Sequence, residues 1–276
     1  MSILPITEVI PETNLVAFVP HYDDFLLGLG GYVLELRAQN CLSTKNFHVV
    51  QVFSRSNYQN RSEGNRDTSL ERIKMATGRR IIEELDCLDE LLGPRNYRYE
   101  LRGERECMLR GKVFADDEME FPHGMYPDFT DEDKEIFARL KKTVRAWALH
   151  EDTALIFPLA IKEHIDHFIT REAGITVAKE MGAEAKAAFY FQEDKPYAGL
   201  QTPEERERIE SFVRAHSLTP LVYRHHPEEV VSLAFTHYTS QVDESYRKGV
   251  IERAEELKQK YQTAFACDQM YRYNKG

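Results

Sequence analysis

The chain has 276 residues, of which 42% are hydrophobic and 30% are charged, a composition typical of ordinary globular proteins. Its formal net charge of -10 disfavours nucleic acids and anionic membranes as partners, because both attract basic patches. No apolar run reaches the roughly 20 residues of a membrane-spanning helix, and the acidic N-terminus does not resemble a signal peptide. Because the four cysteines are dispersed without a CxxC pair, we predict a cytoplasmic protein with free thiols.

The first predicted strand leads directly into polar residues. The run 15–19 is short, apolar and rich in β-branched residues, which is typical of a buried strand. His21, Asp23 and Asp24 follow it immediately, and 26–36 is predicted to form a helix. The glycines of that helix do not have the spacing of a dinucleotide fingerprint.

Strands and helices alternate along the rest of the chain. Further strands are predicted at 47–53, 97–101, 154–159, 187–192 and 221–224. Helices are predicted to begin at Thr68, in a capping box with Glu71, and at Thr130, and to cover 169–181 and 243–264. This alternation indicates an α/β fold, with a mostly parallel sheet covered by helices on both faces.

We find no internal repeat or linker and therefore predict a single domain over 1–276. The segment 103–129 is long and rich in glycine and proline, which is typical of a lid, a surface insertion or an oligomer contact. The segment 193–205 is predicted to be a second active-site loop. His225 and His226, which precede a proline near a strand end, are predicted to lie in a solvated turn, with a position lining the cleft as the alternative.

Two clusters of histidine and aspartate follow predicted strands. One is His21, Asp23 and Asp24; the other, after 154–159, is the sequence HIDH that begins at His164. The carboxyl ends of parallel strands meet at one edge of a sheet, where functional groups collect. Catalytic zinc takes three ligands from His and carboxylate side chains and keeps one position open. We therefore predict a shared metal site.

The spacing within each cluster suggests ligands and roles. His21 and Asp24 lie three residues apart and can face the same ion, as can one or both of His164 and His167. The simplest site uses His21, Asp24 and His167 as ligands.

In that site Asp23 is free to act as general base on the bound water, and His164 acts as acid or as stabiliser of a polarised carbonyl oxygen. Asp166 is a candidate to orient a histidine. Arg72 and Lys162 are candidate substrate-binding residues.

These motifs resemble those of the PIG-L/LmbE-type zinc de-N-acetylases. The sequence from His21 to Asp24 is similar to the start of the HPDDE motif of that family, and the sequence from His164 to His167 is similar to its HPDH or HxDH motif. Tyr22 stands in place of proline and Phe25 in place of glutamate, substitutions that put the substrate in question rather than the metal chemistry.

The resemblance implies a Rossmann-like three-layer sandwich with the site at the carboxyl ends of the strands. It also implies zinc, or another divalent metal such as Fe²⁺, bound by His21, Asp24 and His167. The implied reaction is hydrolysis of an N-acetyl group on an amino sugar, with Asp23 as base and His164 and Asp166 assisting. The expected partner is thus a small N-acylated substrate, and homo-oligomers are compatible with the sequence.

Three other functions fit parts of the pattern. A relative with an altered pocket could hydrate the double bond of a small carboxylic acid, using Lys162 or Arg72 to bind the carboxylate. A non-catalytic relative would only bind a ligand, although retention of all ligand types and of Asp23 argues against it. An iron oxygenase also uses two histidines and one carboxylate, but the α/β pattern fits it poorly.

Overall fold

A computed structural model describes residues 3–59, 66–112 and 124–275. Within them, seven strands form one sheet in the order β3-β2-β1-β4-β5-β7-β6. Neighbouring strands are parallel from β3 to β5, whereas β7 is antiparallel to both β5 and β6. The predicted α/β fold with a mostly parallel sheet is confirmed. The strands are β1 Asn14–Val19, β2 Asn46–Gln51, β3 Tyr97–Leu101, β4 Thr153–Pro158, β5 Ala188–Gln192, β6 Leu218–Arg224 and β7 Cys267–Tyr273.

Helices cover both faces of the sheet. In the described ranges α2, α3 and α7 pack together on one face, and α4 packs against α5 on the other. None of these helices is long and apolar enough to cross a membrane. The helices are α1 Ile6–Val9, α2 Asp24–Ala38, α3 Leu70–Leu92, α4 Asp131–Trp147, α5 Ile165–Met181, α6 Pro203–Ala215, α7 Pro227–His237 and α8 Glu244–Tyr261.

The central strands are buried on both faces, as expected of a parallel sheet. In β1 Leu15 and Val19 join the core on the α2 side, whereas Phe18 joins the core on the α4 and α5 side. This alternation follows from the period of two in a strand. The ring of Phe18 stacks on that of Phe157 in β4, with centroids 5.0 Å apart. The continuous apolar runs therefore place β1 and β4 side by side at the centre of the sheet.

The helix signals were largely correct. Thr130 caps α4, accepting a hydrogen bond from the backbone N–H of Asp133, whose side chain accepts one from Thr130 in return. Such a capping box satisfies donors that would otherwise be unpaired in the first turn. Gly182 follows α5 with a φ of 48°, a conformation that favours glycine.

The predicted start of α3 was wrong by one residue. Its N-cap is Ser69 rather than Thr68. The helix buries Arg80 and Glu84, whereas Ile73 is only half-buried. The face of α3 that turns inward is polar over much of its length because it packs beside the functional site rather than on an apolar strand.

Three elements near the C-terminus were not predicted. They are α6, which begins inside the predicted loop 193–205, α7, and β7. Buried polar residues such as Asp268 and Gln269 interrupt the apolar pattern of β7. The segment 103–129, predicted to be a lid, a surface insertion or an oligomer contact, is described only in part, because 113–123 lie outside the described residues. Its first part is ordered against the site through residues 104–112.

Candidate functional site

The two predicted clusters meet at the carboxyl edge of the sheet. β1 ends at Val19, and the turn that carries His21 connects it to α2. β4 pairs directly with β1, and the connection after β4 leads to His164, which caps α5. Because the strands are parallel neighbours, both turns emerge at the same edge, and the side chains of His21 and His167 come into contact.

Three potential ligand atoms form a compact triangle. Nδ1 of His21 lies 3.2 Å from Nε2 of His167 and 3.5 Å from Oδ2 of Asp24. Nε2 of His167 lies 3.3 Å from the same Oδ2. Ligands bound at zinc distances lie about 3.4 Å apart around a tetrahedral ion. The triangle therefore fits one face of a tetrahedral site, with a fourth position left for water.

In each histidine of the triangle, the ring nitrogen that lies outside the triangle contacts a carboxylate. Nε2 of His21 lies 3.0 Å from Oδ2 of Asp166, and Nδ1 of His167 lies 2.6 Å from Oδ1 of Asp194. Such carboxylates keep the proton on the outer ring nitrogen and leave the inner nitrogen free to bind a metal. Asp194 was not predicted, although its position just after β5 was a usable signal.

Asp166 is itself fixed by a cation. Arg110 donates to its Oδ1 at 2.6 Å and to Asp133 at 2.7 Å, and the backbone N–H of Cys107 donates to its Oδ2. Burial acts to raise the pKa of Asp166, but the charge of Arg110, the hydrogen bond from His21 and the charges of the nearby histidines together outweigh it and hold that pKa far below its usual range. Asp166 is therefore a permanently charged support for His21.

Asp23 lies beside the triangle but outside it. Its side chain is buried and lines the cavity, and no described side chain donates a hydrogen bond to its carboxylate. Burial and the charge of Asp24 raise the pKa of Asp23 to about 7, although Arg80 opposes them. Asp23 can therefore exchange a proton near neutrality, as a general base must.

His164 is arranged as a hydrogen-bond donor toward the cavity. Its Nδ1 accepts the backbone N–H of Asp166 at 3.2 Å. Burial and the charge that His21 carries when no metal is bound hold the pKa of His164 well below its ordinary value. The ring is therefore neutral, with its proton on Nε2. That nitrogen lies 3.8 Å from Sγ of Cys107, and both residues line the cavity.

Arg80 is a cavity residue that the sequence analysis missed. It is buried, pairs with Glu106, donates to Oγ of Ser56 at 2.7 Å, and lies 5.2 Å above the ring of Tyr22. Tyr22, which replaces the proline of the family motif, thus supplies an aromatic surface for this guanidinium. The cavity is lined by His21, Asp23, Asp24, Leu27, Tyr58, Arg80, Glu106, Cys107, Met108, His164, His167, Lys195, Pro196, Tyr197, Gln241 and Tyr246.

The structure does not bring Arg72 and Lys162 to this cavity. Nε of Arg72 donates to the backbone oxygen of Asn57 at 2.9 Å, and Lys162 pairs with Glu205 at 2.8 Å. Both cations therefore hold neighbouring segments together.

Phe25, the other departure from the family motif, packs against Phe47 with ring centroids 6.3 Å apart and does not line the cavity. Its substitution affects packing.

The chain shares its fold with solved deacetylases. A deacetylase from the biosynthesis pathway of teicoplanin matches with a TM-score of 0.61 at 19% identity, covering 96% of this chain and 99% of that one. The zinc-inhibited form of teicoplanin deacetylase Orf2 has the same TM-score and coverages at 18% identity. N,N'-diacetylchitobiose deacetylase from Pyrococcus horikoshii matches with a TM-score of 0.59 at 13% identity, covering 98% of this chain and 87% of that one.

These structures are deacetylases of the PIG-L/LmbE type, so the predicted resemblance is confirmed at the level of the fold. No protein-family model matches the sequence, and no curated protein matches it.

Proposed function

We propose that the protein is a metal-dependent hydrolase that removes an N-acetyl group from an amino sugar. The triangle of His21, Asp24 and His167 carries this proposal, together with the nearby carboxylate of Asp23, to which no described side chain donates a hydrogen bond. Two of its edges, at 3.3 and 3.5 Å, are closer to the spacing of about 3.4 Å in a tetrahedral site than to about 3.0 Å in an octahedral one, and the third, at 3.2 Å, lies midway between them. Zinc is therefore the metal we favour over Fe²⁺.

The remaining residues divide the work of amide hydrolysis. When bound, the metal supplies Lewis acidity and a water of lowered pKa. Asp23 would accept a proton from the water whose oxygen attacks the amide carbonyl carbon. Nε2–H of His164 donates to the oxygen that becomes negatively charged. Asp23 then returns the proton to the nitrogen as the C–N bond breaks, giving an amine and a carboxylate. Asp166 positions His21 throughout.

The charges of the cavity favour a neutral substrate. Arg80 pairs with Glu106, and Lys195 lies 2.7 Å from Asp268. No other Lys or Arg in the described part of the chain lines the cavity. A carboxylic acid, as a hydratase would bind, thus lacks a free cation. The tyrosines of the cavity offer ring faces and hydroxyl groups of the kind that suit a sugar.

Metal analysis followed by an activity screen tests the proposal. We expect purified protein to hold zinc and to release acetate from N-acetylated amino sugars. Asp23→Asn should keep the metal and lose at least about 100-fold in turnover, whereas His21→Ala or Asp24→Ala should lose the metal. Asp86→Asn, on the exposed side of α3, is the matched control and should behave as the unsubstituted protein.

Full activity of Asp23→Asn would contradict the assignment of the base. Hydration of unsaturated acids without any amide hydrolysis would favour the alternative enzyme. Zinc binding without turnover on any N-acylated substrate would favour a non-catalytic protein.

A further inference from the structure

One edge of the sheet carries unpaired backbone groups. β3 lies at that edge and pairs only with β2. The backbone N–H of Arg102 donates to the oxygen of Gln51 in β2 at 2.9 Å. Because backbone groups of successive residues point to opposite sides of a strand, Tyr97, Tyr99 and Leu101 direct theirs outward. Among the residues that the structure describes, none pairs with these outward groups.

The sequence of β3 is complementary to itself in one antiparallel register. With a two-fold axis at Tyr99, that residue lies opposite its own copy, and Tyr97 lies opposite Leu101 of the second copy. These outward-facing residues then form the hydrogen-bonded pairs of an antiparallel ladder. Arg98 lies opposite Glu100 in the closer, non-hydrogen-bonded positions, where unlike charges attract.

Neighbouring registers are unfavourable by the same reasoning. A two-fold axis at Arg98 places that residue opposite its own copy, and an axis at Glu100 places two carboxylates opposite each other, which is destabilising. Only the axis at Tyr99 pairs unlike charges on both sides.

The charges within one copy are consistent with this arrangement. Arg98 is exposed, and no carboxylate of the described residues pairs with it. Glu100 lies 2.7 Å from Nη1 of Arg102 and 3.4 Å from Nε2 of His48, and is partly exposed. Leu101 is 44% exposed, an unusual position for a large apolar side chain on an unprotected edge strand.

We propose that two copies of this chain associate through β3, with a two-fold axis at Tyr99, so that the two sheets become one continuous sheet. The pairing joins the edges that lie farthest from β6, and it does not depend on the catalytic assignment. It uses only groups that already point outward, so no strand has to change its register. Such isologous contacts are the commonest route to a dimer.

Charge reversal and its compensation test the register. Light scattering after size exclusion should give a dimer at about 100 μM chain. Arg98→Glu places like charges opposite Glu100, as Glu100→Arg does opposite Arg98, and each should weaken dimerisation about tenfold or more. The double variant carrying both changes restores unlike pairs and should dimerise like the unsubstituted chain. Arg95→Glu, an equal charge change just before the strand, should leave the dimer intact.

Hydrogen exchange provides an independent readout. The outward amides of Tyr97, Tyr99 and Leu101 should be protected in the dimer and exchange freely in Arg98→Glu. A chain that is monomeric at that concentration overturns the proposal. A dimer that survives Arg98→Glu, or a double variant that is not restored, also overturns it. Circular dichroism of each variant confirms that a lost dimer is not a lost fold.

Discussion

His225 makes the stability of the fold sensitive to acid. It follows β6, is 4% exposed, and neither ring nitrogen has a hydrogen-bond partner among the described residues. Its Nδ1 lies 3.8 Å from Oδ2 of Asp268. Burial lowers the pKa of His225 to about 4; the charge of Asp268 opposes this, and that of Lys195 adds to it. The folded protein therefore holds this ring neutral at pH values where an unfolded chain would protonate it.

The sign and size of the effect follow from these two pKa values. Above pH 6.5 the ring is neutral in both states, and its contribution to stability is constant. Between pH 6.5 and about 4 the unfolded chain binds the proton and the folded chain does not, so the free energy of unfolding falls as the pH falls. Over that interval the loss amounts to about 3 kcal/mol.

A leucine at this position removes the titration. His225→Leu also removes two buried polar atoms that lack partners, so at pH 7.5 we expect stability equal to that of the unsubstituted protein or higher. Urea unfolding of both proteins in chelator at pH 7.5 and at pH 4.5 measures the difference. Between these two pH values, the free energy of unfolding of the unsubstituted protein should fall by about 2.5 kcal/mol more than that of the variant.

The adjacent histidine provides the control. His226 is partly exposed and pairs with Glu35 at 2.7 Å, and His226→Gln should keep the excess acid sensitivity that His225→Leu loses. Equal acid losses in the unsubstituted protein and His225→Leu would refute the reasoning.

Three further outcomes follow from the site. Asp194→Asn weakens the support of His167, so we expect zinc affinity to fall about 10- to 100-fold in a competition with a chromophoric chelator; unchanged affinity would contradict this role. Arg110→Met leaves Asp133 and Asp166 buried without their cation, so the free energy of unfolding in urea should fall by about 3–5 kcal/mol. A change within experimental error would show that the ion pairs of Arg110 do not stabilise the fold. Because the metal binds only the folded chain, zinc at 1,000 times its dissociation constant should raise the free energy of unfolding by about 4 kcal/mol, and a melting temperature indifferent to zinc would argue against the site.

The sequence predicted the structure correctly where a short stretch of residues specifies it. The runs that became β1 and β4 are short and apolar, and each ends in polar residues, so the meeting of His21 and His167 at one sheet edge was predictable. Asp194 lies in the predicted active-site loop 193–205 but was not singled out, because its contact with His167 depends on β5 lying next to β4, and the loop alone does not show which of its residues reaches the site.

Arg80 was missed for a different reason. Arg72 and Arg80 both lie on the buried side of α3, about 12 Å apart along the helix axis. The spacing of residues along a helix predicts which side is buried, but it does not predict which position along the helix axis borders a cavity. The sequence therefore offered no basis for naming Arg80 as a cavity residue.

The burial of His225 was not predicted because β7 was not predicted. A turn exposed to solvent was predicted after β6, but the structure buries this histidine. The burial depends on β7, since the backbone N–H of His225 donates to the oxygen of Ala266 just before that strand. Without β7 in the prediction, nothing in the sequence indicated that this end of β6 is covered.

The place of β7 constrains the order in which the sheet can be assembled. β7 follows the other strands in the chain, yet it is the only described neighbour of β6 and the connection between β6 and β5. In a nascent chain that has emerged as far as α8, β6 has no described strand to pair with, and the side of β5 that pairs with β7 is open. Such unpaired strands invite association with other chains. A ribosome that stalls before Cys267 would therefore release an aggregation-prone intermediate.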